Sequence, residues 1–521
     1  MIKKTLFALI ALAAACNSSQ KTVKESTEAT VVEADPKEYA ATITEEELKE
    51  HLVVYASDEF EGRETGTPGQ KKAAEDIKKE YEKLGIPAAK SDGDYFQKVP
   101  LELKKIPAGS ITINGKEHMI GEGFLTFSAS QGSFENIIYA GYGVEEGDYS
   151  DFSDIDVTGK VVLIKAGEPK NEDGMFTLSG SVEGSKWGDP NESMSLKDEL
   201  LQSKGAKGML YYDMNNYQRF NRYFQYMKTN DSGQMSIKAD DKDKGFSIYL
   251  NTDLAKELLA DIDTNHAPTV IKSSLTVATE TENGEIDSEN VAAVLAGSEK
   301  PDEYVVISSH LDHIGVTADG QINNGADDDG SGTVALLEIA EAFKKSADEG
   351  RGPKRSIVFL HVTGEEKGLL GSQYYTDIEP IIPLAKTVAN LNIDMIGRID
   401  PKREGDRNYI YLIGSDKLST ELHELSEEVN KEFMNIELDY TYNDENDPNR
   451  FYYRSDHYNF AKNNIPIIFY FNGTHDDYHR PGDTPDKINY DLLENRSRLI
   501  FHTAWEVANR NARVVVDKES E

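Results

Sequence analysis

From about Val291 onward, continuous apolar runs alternate with amphipathic stretches: YVVISSH, TVALLEIAEAFKK, SIVFLHVT, VANLNIDMIG, IPIIFYF and a last helical segment through Trp505. Unbroken apolar strands separated by helices predict a largely parallel sheet covered on both faces, a doubly wound α/β domain. Near the start, apolar positions at helical spacing predict helices over Thr44 to Tyr55 and Gln70 to Leu84, the second stopped by Gly85, with the Gly-rich loop SDEFEGRETGTPG between them. Between about Ile111 and Thr281 the texture changes to short β-like runs, NIIYAGYGV and KVVLIKAG, divided by Gly, Asp and Ser turns. This middle region reads as an inserted α/β module. Its LLQSKGAKGMLYY is a helix, a glycine and a strand, and the aromatic cluster after it, YYDMNNYQRFNRYFQYM, serves either a substrate cleft or packing within the insert.

The length of 521 residues exceeds what one growing core accommodates, which agrees with two domains or one domain carrying an insert. The boundaries that follow are a main domain from residues 41–110 and 286–515, and an insert over 111–285. The first residues, MIKKTLFALIALAAAC, have two lysines, a short apolar stretch and small residues before Cys16, the architecture of an export signal over 1–15. As Cys16 is the only cysteine and follows AlaAlaAla, the pattern resembles that of bacterial lipoproteins, lipidated at the cysteine and tethered through the polar stretch 17–40. The expected location is therefore outside the cytoplasm, held to a bacterial membrane only through that lipid. No disulfide can form within the chain. A formal charge of −37 disfavours nucleic acid and anionic lipid surfaces as partners.

In doubly wound sheets, ligands bind beyond the carboxyl ends of the strands. The chemically unusual residues fall there. YVVISS runs into His310-Leu311-Asp312-His313, SIVFLHVT into Gly364-Glu365-Glu366, VANLNI into Asp394, and IPIIFYF into a loop with His475, Tyr478 and His479. GADDDGSG places Asp327, Asp328 and Asp329 near a helix start. Three consecutive carboxylates repel one another unless solvated or neutralised by a cation, and imidazole with carboxylate, without thiolate, suits a catalytic zinc site.

The motifs HLDH, NNGADDDGSG, TGEEKGLLGS, NIDMIG and DYHRPGDTPDKI resemble, in order and approximate spacing, those of the co-catalytic di-zinc aminopeptidase family, which also contains glutamate carboxypeptidase and transferrin-receptor-like relatives. The resemblance runs from about Thr44 to Arg513, and GYGV, DVTGKVVLI and SKGAKGML in the insert resemble a protease-associated domain. It implies two zinc ions, with Asp328 bridging them, His310 and Asp394 completing one position, and Glu366 and His479 the other. It further implies Glu365 as general base, Asp312 orienting His310, Tyr478 donating to the oxyanion, and a cis peptide between Asp328 and Asp329, with Asp329 as a support residue. His313, His457 and His475 match no ligand position. Peptides are the implied substrates, cut at the amino-terminal end. A carboxypeptidase-like enzyme would instead need arginines for a terminal carboxylate, and Arg454 and Arg480 flank motif residues. A metal-free receptor on this scaffold would have damaged ligand positions, whereas all five residue types are present. A single-zinc cyclising transferase is usually a smaller chain without the insert.

Overall fold

The computed structural model describes residues 35–190, 192–229, 233–238 and 245–518. The expected signal, Cys16 and most of the tether lie outside the described residues. The folded body begins slightly earlier than the expected tether end: Pro36–Ala40 is a helix, because Tyr39 stacks on Trp505 with ring centroids 5.6 Å apart and its hydroxyl bonds Glu349 at 2.8 Å. The next two helices follow the apolar spacing. Glu45–Tyr55 is capped by the Thr44 side chain, and Pro68–Leu84 ends at Gly85, whose φ of 69° supplies the left-handed residue that closes a helix.

Two large sheets dominate the described residues, one of nine strands and one of eight. At the centre of the larger sheet lie four adjacent parallel strands, in the order Arg355–Val362, Lys300–His310, Thr387–Ile393 and Ile467–Phe471. Three of them are buried along their whole length, the pattern required of strands covered by helices on both faces. The flanks depart from the largely parallel expectation. Phe96–Lys104, Asn283–Leu295 and Arg355–Val362 pair antiparallel in sequence across one side, and Tyr409–Ile413 lies antiparallel to Ile467–Phe471 on the other. The sheet is mixed, and its parallel part is the part that carries the chemistry.

Helix Gly332–Asp348, which follows the acidic loop, and the final helix Tyr490–Asn509 both pack on this sheet. Two fully buried arginines fasten the last helix. Arg496 donates to the carbonyls of Ile396, Arg398 and Tyr409 at 2.7 to 2.8 Å, holding the turn just beyond Asp394. Arg355 bonds Glu303 at 2.7 Å and the carbonyls of Val507 and Arg510. Each guanidinium caps backbone groups that would otherwise be buried unpaired.

The eight-stranded sheet is built wholly from strands between Ala108 and Glu280 around its own apolar cluster, which includes Val161 to Ile164 and Leu210. Strand Gln234–Ile237, from the same stretch of chain, pairs instead with Phe96–Lys104 of the larger sheet. Strand Asn283–Leu295 also begins before residue 286, so the expected edge of the insert falls inside a strand of the larger sheet. The aromatic cluster forms helix Tyr217–Thr229, with Phe224 buried and Tyr223 and Tyr226 exposed.

Candidate metal centre

Because the four central strands are parallel neighbours, their carboxyl ends lie along one edge, and the residues that follow them converge. His310 closes its strand. Asp394 follows Ile393, and Glu365 and Glu366 follow Val362 after two residues. The acidic loop enters from the side. Gly325 has a φ of 52°, and a Cβ there would lie 2.2 Å from the Asp328 carbonyl and 2.5 Å from the His313 ring, so only glycine permits this turn. The peptide between Asp328 and Asp329 is cis.

Asp328 stands between two imidazoles. Its Oδ1 is 3.2 Å from His310 Nε2 and its Oδ2 is 3.1 Å from His479 Nε2. His310 Nε2 is also 3.6 Å from Asp394 Oδ1, and His479 Nε2 is 3.0 Å from Glu366 Oε2. All five residues expected to bind metal are thus together. His310 Nε2 and Asp328 Oδ2 are buried and make no hydrogen bond, a costly state unless a cation takes those lone pairs. Oxygen and imidazole donors without sulfur fit a divalent metal such as zinc. Among the described residues two groups have ligand atoms within 4.8 Å of one another: His310 with Asp329 and Asp394, and His313 with Asp328 and Glu366. In the first, Asp329 is already engaged, accepting from the backbone nitrogens of His310, Gly332 and Met395 at 2.9 to 3.2 Å. It ties strand end, helix start and neighbouring strand together, which is a support role.

Electrostatics separate the two adjacent glutamates in the metal-free protein. Burial and Asp328 push Glu366 up, but His313 and His479 outweigh them and draw it down to about 2. Asp328 is likewise held well below the usual range, its burial overcome by His313, His310 and His479. Glu365 goes the other way: burial, then the carboxylates of Asp394, Glu366 and Asp456, raise it well above an ordinary glutamate. Tyr478 stacks on His479 with centroids 3.9 Å apart, and burial together with the nearby acids raises its hydroxyl far enough to keep it a neutral donor.

One expected contact is made differently. Asp312 meets His310 through its backbone carbonyl, 3.0 Å from Nδ1, while its carboxylate is 4.0 Å away. The carboxylate instead accepts from Thr65 Oγ1 at 2.6 Å and from the Glu365 backbone nitrogen at 3.2 Å. His475 faces Asp327 at 3.2 Å, and His457 donates to the Tyr452 carbonyl at 2.8 Å while stacking on Phe469; neither joins the cluster.

Several supporting residues escaped the sequence reading. Arg63, from the loop after the first long helix, is buried and donates to the carbonyls of Tyr55, Asn324 and Gly325 at 2.7 to 3.2 Å. Ser455 donates to Asp394 Oδ2 at 2.6 Å. Asp483 accepts from the backbone nitrogens of Asp327 and Asp328 at 3.0 to 3.2 Å. A signal existed for Asp483, which lies within DYHRPGDTPDKI, whereas Ser455 lies in none of the motifs. Arg63 had none beyond a single cation in an acidic loop.

Residues 290–504 match peptidase family M28. Among curated proteins, leucine aminopeptidase 1 of Sclerotinia sclerotiorum is 30% identical over 212 residues, 39% of this chain and 52% of that protein. A probable glutamate carboxypeptidase of Arabidopsis thaliana is 36% identical over 106 residues, 20% of this chain and 14% of that protein. The matched stretch therefore spans about half or less of these relatives. Among solved structures, an aminopeptidase from Aneurinibacillus sp. strain AM-1 shares 18% identity over 93% of this chain and 98% of its own, with a TM-score of 0.49.

Proposed function

We propose that this chain, whose residues 290–504 carry the peptidase family M28 domain, is a di-zinc exopeptidase that removes amino acids from the amino-terminal ends of peptides. The observation that carries the reading is Asp328: a buried carboxylate with one oxygen toward His310 and the other toward His479, each imidazole backed by a further carboxylate. In this reading Asp328 is shared, His310 and Asp394 complete one metal position, and Glu366 and His479 complete the other. When bound there, zinc would supply Lewis acidity to polarise the scissile carbonyl and acidify water.

The chain's own groups supply the rest. Glu365 is the general base, taking a proton from the attacking water on its carboxylate and passing it to the leaving amine nitrogen as the C–N bond breaks. Tyr478, a neutral hydroxyl beside His479, donates a hydrogen bond to the developing oxyanion. Asp312 holds the Glu365 backbone in place.

The same reading extends to regions that rest on sequence pattern: an export signal over 1–15, lipid at Cys16, a location on the outer side of a bacterial membrane, and a protease-associated module within 111–285. Metal analysis of the purified protein, run beside free-amine and N-blocked aminoacyl substrates, tests the proposal. Two zinc per chain and hydrolysis only of free-amine substrates is the expected result. Preferential cleavage of the blocked substrates would overturn the amino-terminal polarity, and hydrolysis by metal-free protein would overturn the mechanism.

A further inference from the structure

We propose that His313 is a positioning residue of the second metal position, its Nδ1–H holding one oxygen of Glu366 so that the other alone is presented to a cation. The inference rests on the two-metal reading above and adds a residue to it.

His313 is fully buried. Its Nδ1 lies 2.8 Å from Glu366 Oε1 in hydrogen-bonding geometry, and because an ionised carboxylate only accepts, that nitrogen carries the proton. The second oxygen, Oε2, is 3.0 Å from His479 Nε2, which is in turn 3.1 Å from Asp328 Oδ2. Glu366 is therefore split between two imidazoles. Oε1 is taken from behind by a donor, and Oε2 faces the atoms that would share a metal. His313 Nδ1 is also 3.7 Å from Asp328 Oδ2, so direct ligation by His313 is the competing arrangement. A nitrogen that donates its proton to a carboxylate has no lone pair to offer a metal, and this favours positioning.

The ring cannot easily move. The Gly325 backbone is packed so closely against it that a Cβ there would sit 2.5 Å from His313 Cδ2. The backbone nitrogen of His313 donates to the Arg63 carbonyl at 3.1 Å, and the Arg63 guanidinium holds Asn324 and Gly325. The segment HLDH thereby acts three times. His310 faces Asp328, Asp312 accepts from the Glu365 amide, and His313 steers the Glu366 side chain. Two neighbouring glutamates with different roles are each held by a separate residue of one strand end.

Hydrogen-bond partners of ligating carboxylates commonly govern metal affinity by about 10–100-fold. The test is a zinc titration of the metal-free full chain against a chromophoric chelator, with His313→Ala, His313→Asn and His313→Gln. The Asn amide reaches the place of Nδ1, whereas the Gln amide reaches that of Nε2. Ala and Gln should weaken the second zinc equivalent by about 10–100-fold while the first stays within about threefold, and Asn should recover most of the loss. Thermal unfolding of the metal-free variants checks that each is folded; should Ala fail to fold, the Asn and Gln pair still decides. Unchanged binding by Ala, or equal binding by Asn and Gln, would overturn the proposal, and complete loss of the second equivalent in all three would replace it with direct ligation. A wild-type chain that binds fewer than two equivalents would instead defeat the two-metal reading.

Discussion

Replacing Arg63 with Met tests whether the acidic loop is held in place by this one side chain. Its guanidinium makes contacts of 2.7, 2.9 and 3.2 Å to the carbonyls of Asn324, Gly325 and Tyr55, a long one of 3.5 Å to the Asp328 carbonyl, and lies 4.6 Å from the Tyr55 ring centroid. Hydrogen bonds from a charged donor contribute about 1.5–3 kcal/mol each, so the three shorter contacts amount to roughly 5–9 kcal/mol gross. Burying the cation costs several kcal/mol, which Met would recover along with some apolar packing. The net loss should be about 2–4 kcal/mol, read as a fall in the urea midpoint. The chain has two tryptophans; Trp505 reports on the larger sheet, and a Trp187→Phe background isolates its signal. Since two of the carbonyls released, those of Asn324 and Gly325, belong to the turn that presents Asp328, zinc content should fall together with stability. Arg63→Lys should recover only part of the loss, because an ammonium cannot reproduce the planar fork. A change below about 1 kcal/mol with zinc content intact would refute the idea that Arg63 organises the loop.

Three further outcomes follow from the same geometry. Glu365→Gln should keep both metals, measured by elemental analysis, yet lower kcat by about 10²–10⁴-fold; loss of metal instead would make Glu365 a ligand. Asp328→Ala should empty both positions, since each imidazole loses the same carboxylate, and retention of one full zinc equivalent would refute its shared role. His361, bonded to Tyr81 and Ser309, is pushed by burial from 6.5 down to about 3. Between those values the unfolded chain binds the extra proton, so stability falls as pH drops, by about 1.4 kcal/mol per pH unit from this group. His361→Gln should flatten that acid limb in a series of urea midpoints, and identical slopes would count against the assignment.

What the sequence made legible, and what it did not, divides along a physical line. Four of the five metal-binding candidates were visible because they lie at or shortly beyond the end of an apolar run, where a polar residue has few structural reasons to be, and Asp328 because it stands in a row of three carboxylates. Helix limits at Thr44 and Gly85 were visible for a similar reason, since capping chemistry is local. The contacts of Arg63 and Asp312 were not legible because their partners carry no signature of their own. Arg63 bonds backbone carbonyls far along the chain, and the Asp312 carboxylate accepts from Thr65 and a backbone nitrogen where its neighbour His310 was the expected partner. The antiparallel flanks escaped because an apolar run records burial and leaves the direction of the neighbouring strand open. His313 lies between these classes. Its position after the HLD segment marked it as near the site, yet two residues of a strand end point in different directions, and only the turn at Gly325 brings its ring against Glu366. Hence the ligand types can be read from strand ends and the acidic run, whereas the support that sets their orientation depends on chain closure between Arg63, the acidic loop and HLDH. Substitutions in that support should therefore alter metal affinity while leaving all five proposed ligands chemically intact.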